Sequence, residues 1–361
     1  MLRTISYTMH SIRRHVYNHS TLILAMKEQK RQEKNKVVCS HELNNLIREI
    51  VDETGFRLGS PWRPNGSLSV VVPILSNSAT TIRKYLTHQE ATRLKIVDSG
   101  SIGGLLVSST EDLPVFLRLG SVLNGVDTQS RSVNKSIFIL PSETVDIAVN
   151  CVHASHGIIR GSRLMSAPNI AAPASIEDAL IRSDQREVWT RVRCYSANRS
   201  GRTPLSDSLV EELNRQDGFA RRVQEILQEV PEYEGQVGLV VFDEVGLLGL
   251  EMFDSPKSWN ALGRSIVSKF AEVLVKRANE NILRIEVNET MIKDLVIKFL
   301  RNLESGRKVK NLERKSTIIN VRGKVNGEAA FLDSEFVHLT AVRNDDLDAA
   351  VRGDVMSGRR R

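Results

Sequence analysis

The sequence predicts an α+β fold, with mostly antiparallel sheets and hairpins and helices packed on them. Three observations lead there. Short β-branched runs, Ser67–Leu75 and Val237–Phe242 among them, are bounded by turn residues. Two pairs of runs are joined by four-residue turns, Pro141–Thr144 and Asp243–Gly246, a hairpin length. Strands and helical patterns do not alternate strictly, which argues against a doubly wound parallel sheet. With 361 residues, 41% of them hydrophobic, the chain can bury one large core or two.

Taken in order, residues 1–38 lack a sustained apolar period and are expected to form a basic, disordered extension. Met1, Met9 and Met26 are alternative starts. Ser40–Gly55 reads as a helix, with Ser40 as cap and Leu43, Leu46, Ile47, Ile50 and Val51 at helical spacing. Tyr85–Ala91 reads as a short helix in which Thr87 and Glu90 have the capping-box spacing. Strands are expected at Leu94–Val97, Leu105–Ser108 and Pro114–Leu119. Val133–Leu140 and Val145–Val152 read as one hairpin. In its second strand Val145, Ile147, Val149 and Cys151 share a face, opposite Asp146 and Asn150.

Residues 161–175, rich in Ser, Ala and Pro, close a first half. Ile176–Tyr195 and Ser206–Val230 read as helices, the latter capped by Ser206. The second hairpin pairs Val237–Phe242 with Leu247–Phe253. A helix then opens at Asp254-Ser255-Pro256, with proline in its first turn. Its stripe is Trp259, Leu262, Ile266, Phe270, Val273 and Leu274. Ile285–Val287 is a strand candidate and Thr290–Leu303 a helix. Strands Ser316–Arg322, Ala329–Leu332 and Phe336–Val342 close a globular region of 39–345, before a basic tail at 346–361. The two hairpins, each followed by a helix, hint at halves 39–160 and 176–345, without an exact repeat.

The net charge of +7 belongs to the ends. Residues 1–38 carry a surplus of six positive charges and residues 351–361 a surplus of three, leaving the middle near −2. No basic face of a nucleic-acid-binding domain is indicated, although basic tails can add salt-sensitive affinity for nucleic acid. No stretch approaches the roughly 20 apolar residues of a membrane helix, and Leu22–Ala25 is too short for a signal core. No membrane association and a cytoplasmic setting are therefore expected. Cys39, Cys151 and Cys194 show neither CxxC pairing nor zinc spacing and are read as reduced thiols.

No Walker A loop, GxGxxG after a strand, HExxH or GxSxG occurs, so no cofactor and no metal site is expected. The dense polar stretch is Gly120–Gly157. Within it Arg131 can fork onto a carboxylate or phosphate, with Asp127, Gln129 and Asn134 beside it. The same side chains can instead tie the loop to backbone groups. His153 and His156 sit three apart at a strand end, where they diverge rather than form a ligand pair. Cys151 has the parity of a buried, inert thiol. Glu251 lies inside LLGLEMF on an apolar parity, which is costly unless it is paired or at an edge. Arg131 is the partner the sequence offers.

The run GSVLNGVDTQSR (120–131), then Asn134, the hairpin and CVHAS (151–155), resembles a domain family named for its association with ADP-ribosylglycohydrolases and rhodanese-phosphatase proteins, the ARPP-1 type. YLTHQEA (85–91), QREVW (185–189), GLEMF (249–253) and VHL (337–339) match further blocks of that family in the same order. The resemblance spans roughly residues 68–342. Ser121 and Val122 stand where the family has two Glu, and His153 where many members have Glu. It implies neighbourhood with ADP-ribose and phosphate chemistry, not a reaction.

The expectation is an accessory module that binds an anionic ligand (ADP-ribose-like, nucleotide or RNA phosphate) through Arg131, Gln129, Asn134 and His153, with Asp127, His156 and Glu251 completing the candidate set. A hydrolase with Glu251 and His153 as acid and base is the alternative, and a structural protein-interaction domain a third.

Overall fold

A computed structural model describes residues 41–78, 82–200, 204, 206–276 and 288–344. The basic ends, the alternative starts, Ser40 and the strand candidate Ile285–Val287 lie outside these residues. The fold is α+β with mostly antiparallel sheets, as the sequence predicts, the exception being a short parallel pair between Leu86–Thr87 and Val115–Phe116. Among the described residues no helix is long and apolar enough to cross a membrane.

An antiparallel eight-stranded sheet forms the middle layer. It is built from β1 (Phe56–Leu58), β2 (Val70–Ser76), β12 (Gln236–Phe242), β13 (Leu247–Phe253), β14 (Arg307–Glu313), β15 (Ser316–Arg322), β16 (Val325–Leu332) and β17 (Glu335–Arg343). Their spatial order is β1-β2-β12-β13-β17-β16-β15-β14. β12, β13 and β16 are buried along their whole length, which is why they read as near-continuous apolar runs.

One face is covered by α1 (His41–Val51) and α8 (Glu289–Ser305), whose apolar residues pack against Val72, Ile74, Leu250 and Leu339. α1 buries Leu43, Leu46, Ile47 and Ile50. At about 1.5–3 kcal/mol per fully buried side chain, packing rather than propensity holds a helix this short. The other face carries α2 (Ala174–Arg182), α3 (Gln185–Ser200), α4 (Leu209–Asn214), α5 (Gly218–Glu229), α6 (Pro256–Lys269) and α7 (Ala271–Leu274). α6 starts as predicted, with the Ser255 hydroxyl accepting from Ser258 N–H and Pro256 in the first turn.

A closed six-stranded barrel follows the order β10-β5-β4-β11-β7-β8. Its strands are β4 (Leu94–Ser101), β5 (Gly104–Ser109), β7 (Ser121–Gly125), β8 (Arg131–Val133), β10 (Thr144–Cys151) and β11 (Arg163–Ala171). A small sheet of β3 (Leu86–Thr87), β6 (Val115–Leu117) and β9 (Ile137–Ile139) lies beside it in the order β3-β6-β9.

Several elements differ from expectation. Tyr85–Ala91 is a short strand and a turn. The Thr87–Glu90 contact exists, but the carboxylate takes both the Thr87 amide and its hydroxyl, at 3.0 and 2.7 Å. Val133–Leu140 is not one strand. β8 pairs with β10 in the barrel while β9 leaves to pair with β6, so Pro141–Thr144 joins two sheets instead of closing a hairpin. The predicted helix Ile176–Tyr195 breaks at Ser183, whose φ of 54° ends α2 in the left-handed region. Ser206–Val230 is likewise two helices, capped by Ser208 and Asp217 rather than Ser206. The Ser/Ala/Pro stretch 161–175 contains barrel strand β11.

Candidate functional site

The predicted site residues fall into two centres. The first lies where β8 crosses β10. Arg131 stands opposite Cys151 in register, and its side chain is fully buried. Its Nη1 donates to the Gln129 carbonyl at 2.7 Å, and its Nη2 lies 3.3 Å from Asp98 Oδ2. Asp98, on β4, also accepts from the Thr128 hydroxyl at 2.6 Å and the Gly100 amide at 2.8 Å. The guanidinium therefore ties the β7–β8 turn to β4. Burial lowers its pKa, with the Cys151 and Asp98 charges opposing.

Asn134 donates to Asn150 Oδ1 at 3.0 Å, and Asn150 reaches Gln185 at the start of α3. Gln185 behaves as a one-residue strand partner. Its Oε1 accepts from the Cys151 amide and its Nε2 donates to the Cys151 carbonyl, both at 2.8 Å. Asn150, placed by parity on the polar face, is thus buried and paired. Burial pushes the Cys151 thiol pKa up, consistent with an inert sulfur.

The exposed side of this centre holds the two histidines. Expected to diverge, the His153 and His156 rings instead stack, centroids 4.9 Å apart and planes at 28°. The chain turns after His153, whose backbone bridges to Ser208. The loop is held by the Ser155 hydroxyl on Asp207 at 2.8 Å and by the Gln129 side-chain amide on the His156 carbonyl. Both rings are half-buried. Burial lowers the His153 pKa, and His156 lowers it further. Asp127 is exposed on the adjoining turn.

Glu251 belongs to a second centre, and its expected partner Arg131 is replaced by Arg118, Lys269 and His338. Glu251 faces α2 and α6 from the middle of the large sheet, in register with Thr340 of β17, which is itself in register with Glu328 of β16. Its Oε1 lies 2.8 Å from Arg118 Nη1 and 3.0 Å from His338 Nε2; its Oε2 lies 2.7 Å from Lys269 Nζ. Glu177 of α2 shares the same cations, 2.7 Å from Lys269 and 3.4 Å from Arg118, and accepts from the Thr340 hydroxyl at 2.8 Å. All six side chains are buried. Burial works against the Glu251 charge, but Arg118, Lys269 and His338 outweigh it and hold the carboxyl well below the usual range. Burial lowers the His338 pKa, with Glu251 opposing. Two cations thus balance two carboxylates.

Gly120 sits against this cluster. Its φ is 78°, and a Cβ there would lie 2.9 Å from Glu177 Oε2. Beside it Glu328 Oε1 accepts the Ser136 amide at 2.9 Å. Burial raises the Glu328 pKa to about 7, against the Ser136 bonds and Lys135.

The sequence reading missed Arg118, Glu177, Lys269 and His338. Arg118, Lys269 and His338 carry the signal that singled out Glu251, a lone ionisable residue inside an apolar run (VFLRLG, IVSKFA and FVHLTA), whereas Glu177 stands beside Asp178 in ASIEDAL and lacks it. The short family blocks sort between the two centres. Tyr85, Gly120, Glu251 and His338 lie at or near the second, and Gln129, Arg131, Cys151 and Gln185 build the first. The model of the ARG and Rhodanese-Phosphatase-superfamily-associated Protein domain, ARPP-1, matches residues 55–342. No curated protein and no solved structure gives a significant match. The chain belongs to the ARPP-1 family.

Proposed function

We propose, on the premise of that family membership, that this chain is an accessory module binding an anionic ligand of the ADP-ribose, nucleotide or RNA-phosphate class at the histidine end of the barrel. The reading rests on the stacked His153–His156 pair. Burial and the neighbouring His156 ring disfavour protonation of His153, against the pull of Glu211 and Asp207, and an anion set against the ring adds to that counter-charge. Arg160, exposed on the loop that follows, and Arg163, exposed at the start of β11, add positive potential. In this reading Asp127, exposed on the adjoining turn, is assigned to accept from a sugar hydroxyl. Arg131, Gln129 and Asn134 act as positioning residues: a phosphate cannot reach a guanidinium that is fully enclosed. Glu251 serves the interior, and its bonds to Arg118, Lys269 and His338 leave the acid–base pairing with His153 without support. A cytoplasmic setting is part of this reading.

Calorimetric titration with ADP-ribose tests it. Saturable binding is expected, strengthening by about tenfold from pH 8 to pH 6, because bound anion raises the imidazole pKa. His153→Ala and His156→Ala should abolish it while the melting temperature holds. Binding untouched by both substitutions contradicts the reading. Release of product from ADP-ribose or NAD by the purified protein replaces it with the hydrolase.

A further inference from the structure

A cleft of about 370 Å³ opens where the barrel and the small sheet meet the large sheet. The apolar part of its lining comes from Ile137, Phe138, Leu140, Val145 and Ile147. Two ion pairs cross its rim from one unit to the other, Lys135 to Glu313 and Glu143 to Arg314. These four charges satisfy one another. The remaining charge in the lining is Asp146, which is exposed on β10 and takes part in no ion pair among the described residues. The cleft thus offers one uncommitted anion beside an apolar lining.

Its inner wall is a sheet edge. β9 is the outer strand of its three-stranded sheet. Phe116 gives its carbonyl to the His88 amide on the β3 side, so its neighbours Val115 and Leu117 face Ile139 and Ile137. By the alternation of an antiparallel pair, Phe138 turns its amide and carbonyl to the outer edge. This edge pairs with no strand among the described residues and lines the cleft through Phe138, and an unpaired strand edge is what receives an added strand.

We infer that this cleft takes an extended peptide segment lying along β9, with an apolar side chain against the apolar lining and a basic side chain against Asp146. The site is separate from the histidine end of the barrel. The charge favours a basic segment: the lining holds three carboxylates and two cations. An anionic ligand of the kind proposed above meets a net negative rim here.

The probe is a fluorescein-labelled acetyl-Val-Lys-Val-Lys-Val-amide, with its glutamate counterpart as control, followed by fluorescence anisotropy. The lysine peptide is expected to bind saturably and at least about tenfold more tightly than the glutamate peptide. Asp146→Lys, at an exposed position, should reverse that preference with an unchanged melting curve. Ala148→Trp, which fills the cleft from an exposed lining position, should abolish binding of both peptides. No saturable binding of the lysine peptide, equal binding of the two, or an affinity indifferent to Asp146→Lys overturns the proposal. ADP-ribose binding at the histidines leaves it untouched, so the two readings fail separately.

Discussion

Lys269 shows what a single side chain carries in the second centre. Its ammonium contacts Glu177, Glu251 and Thr340 within 2.8 Å, with no exposure to water. Removing one member of a buried ion pair costs about 3–5 kcal/mol, because the partner is left charged and unpaired. Lys269→Met is therefore expected to lower stability by that order in urea unfolding. Adding Glu251→Gln should recover part of the loss, a coupling that a double-mutant cycle measures. Glu328 makes the opposite case. Its folded pKa, about 7, stands above the ordinary 4.5. The folded protein then holds a proton that the unfolded chain has released, so this contribution to stability is fully present below about pH 4.5 and is lost as pH rises through 7. Glu328→Gln removes the dependence. The difference in stability between wild type and variant should change by about 3 kcal/mol between pH 4.5 and pH 8, and a pH-independent difference would refute the assignment. Polar residues are legible in a sequence as anomalies of parity. Which anomaly meets which is not, because Glu251 and Arg118 are joined only when β6 and β13 pack across the same interior.

At the scale of elements, the strands and helices with a clear apolar period were readable. α1, α6, α8, β12, β13 and β15 fall close to where period and capping put them. The errors have physical causes. β14, RKVKNLE, has the polar character of an edge strand, kept charged so that it does not pair with another chain, and leaves no apolar alternation to read. β8 (RSV) and β9 (IFI) look continuous because only three residues separate them, while the change of sheet between them is a tertiary choice. The break at Ser183 is a left-handed residue without glycine, which sequence rules seldom place. Gln185 shows how such a break is used: by ending α2 there, the chain aims the first residue of α3 at the backbone of Cys151. Gln185→Leu should strip both bonds from a buried peptide group, at about 1–3 kcal/mol. Amide exchange at Cys151 should speed up more than that at Val149, whose own amide bonds Gly103. Equal protection of Cys151 in the variant would contradict the role given to Gln185.

For the molecule as a whole, the large sheet is a shared wall. Its one face is closed by α1 and α8, and its other meets the helices, the small sheet and the barrel through the balanced charges of the second centre. The charges of the second centre are enclosed between the layers, while His153 and His156 are half-buried after the end of β10. The binding set expected around Arg131 becomes, in three dimensions, a buried brace with two half-buried histidines at its exposed side. Histidine-selective NMR titration with ADP-ribose tests this division most directly. The account predicts that the His153 and His156 ring signals move on binding and that the His153 pKa rises, while the signals of buried His88 and His338 stay in place. Movement of the His338 signal with His153 and His156 unmoved would put the ligand in the interior and contradict it.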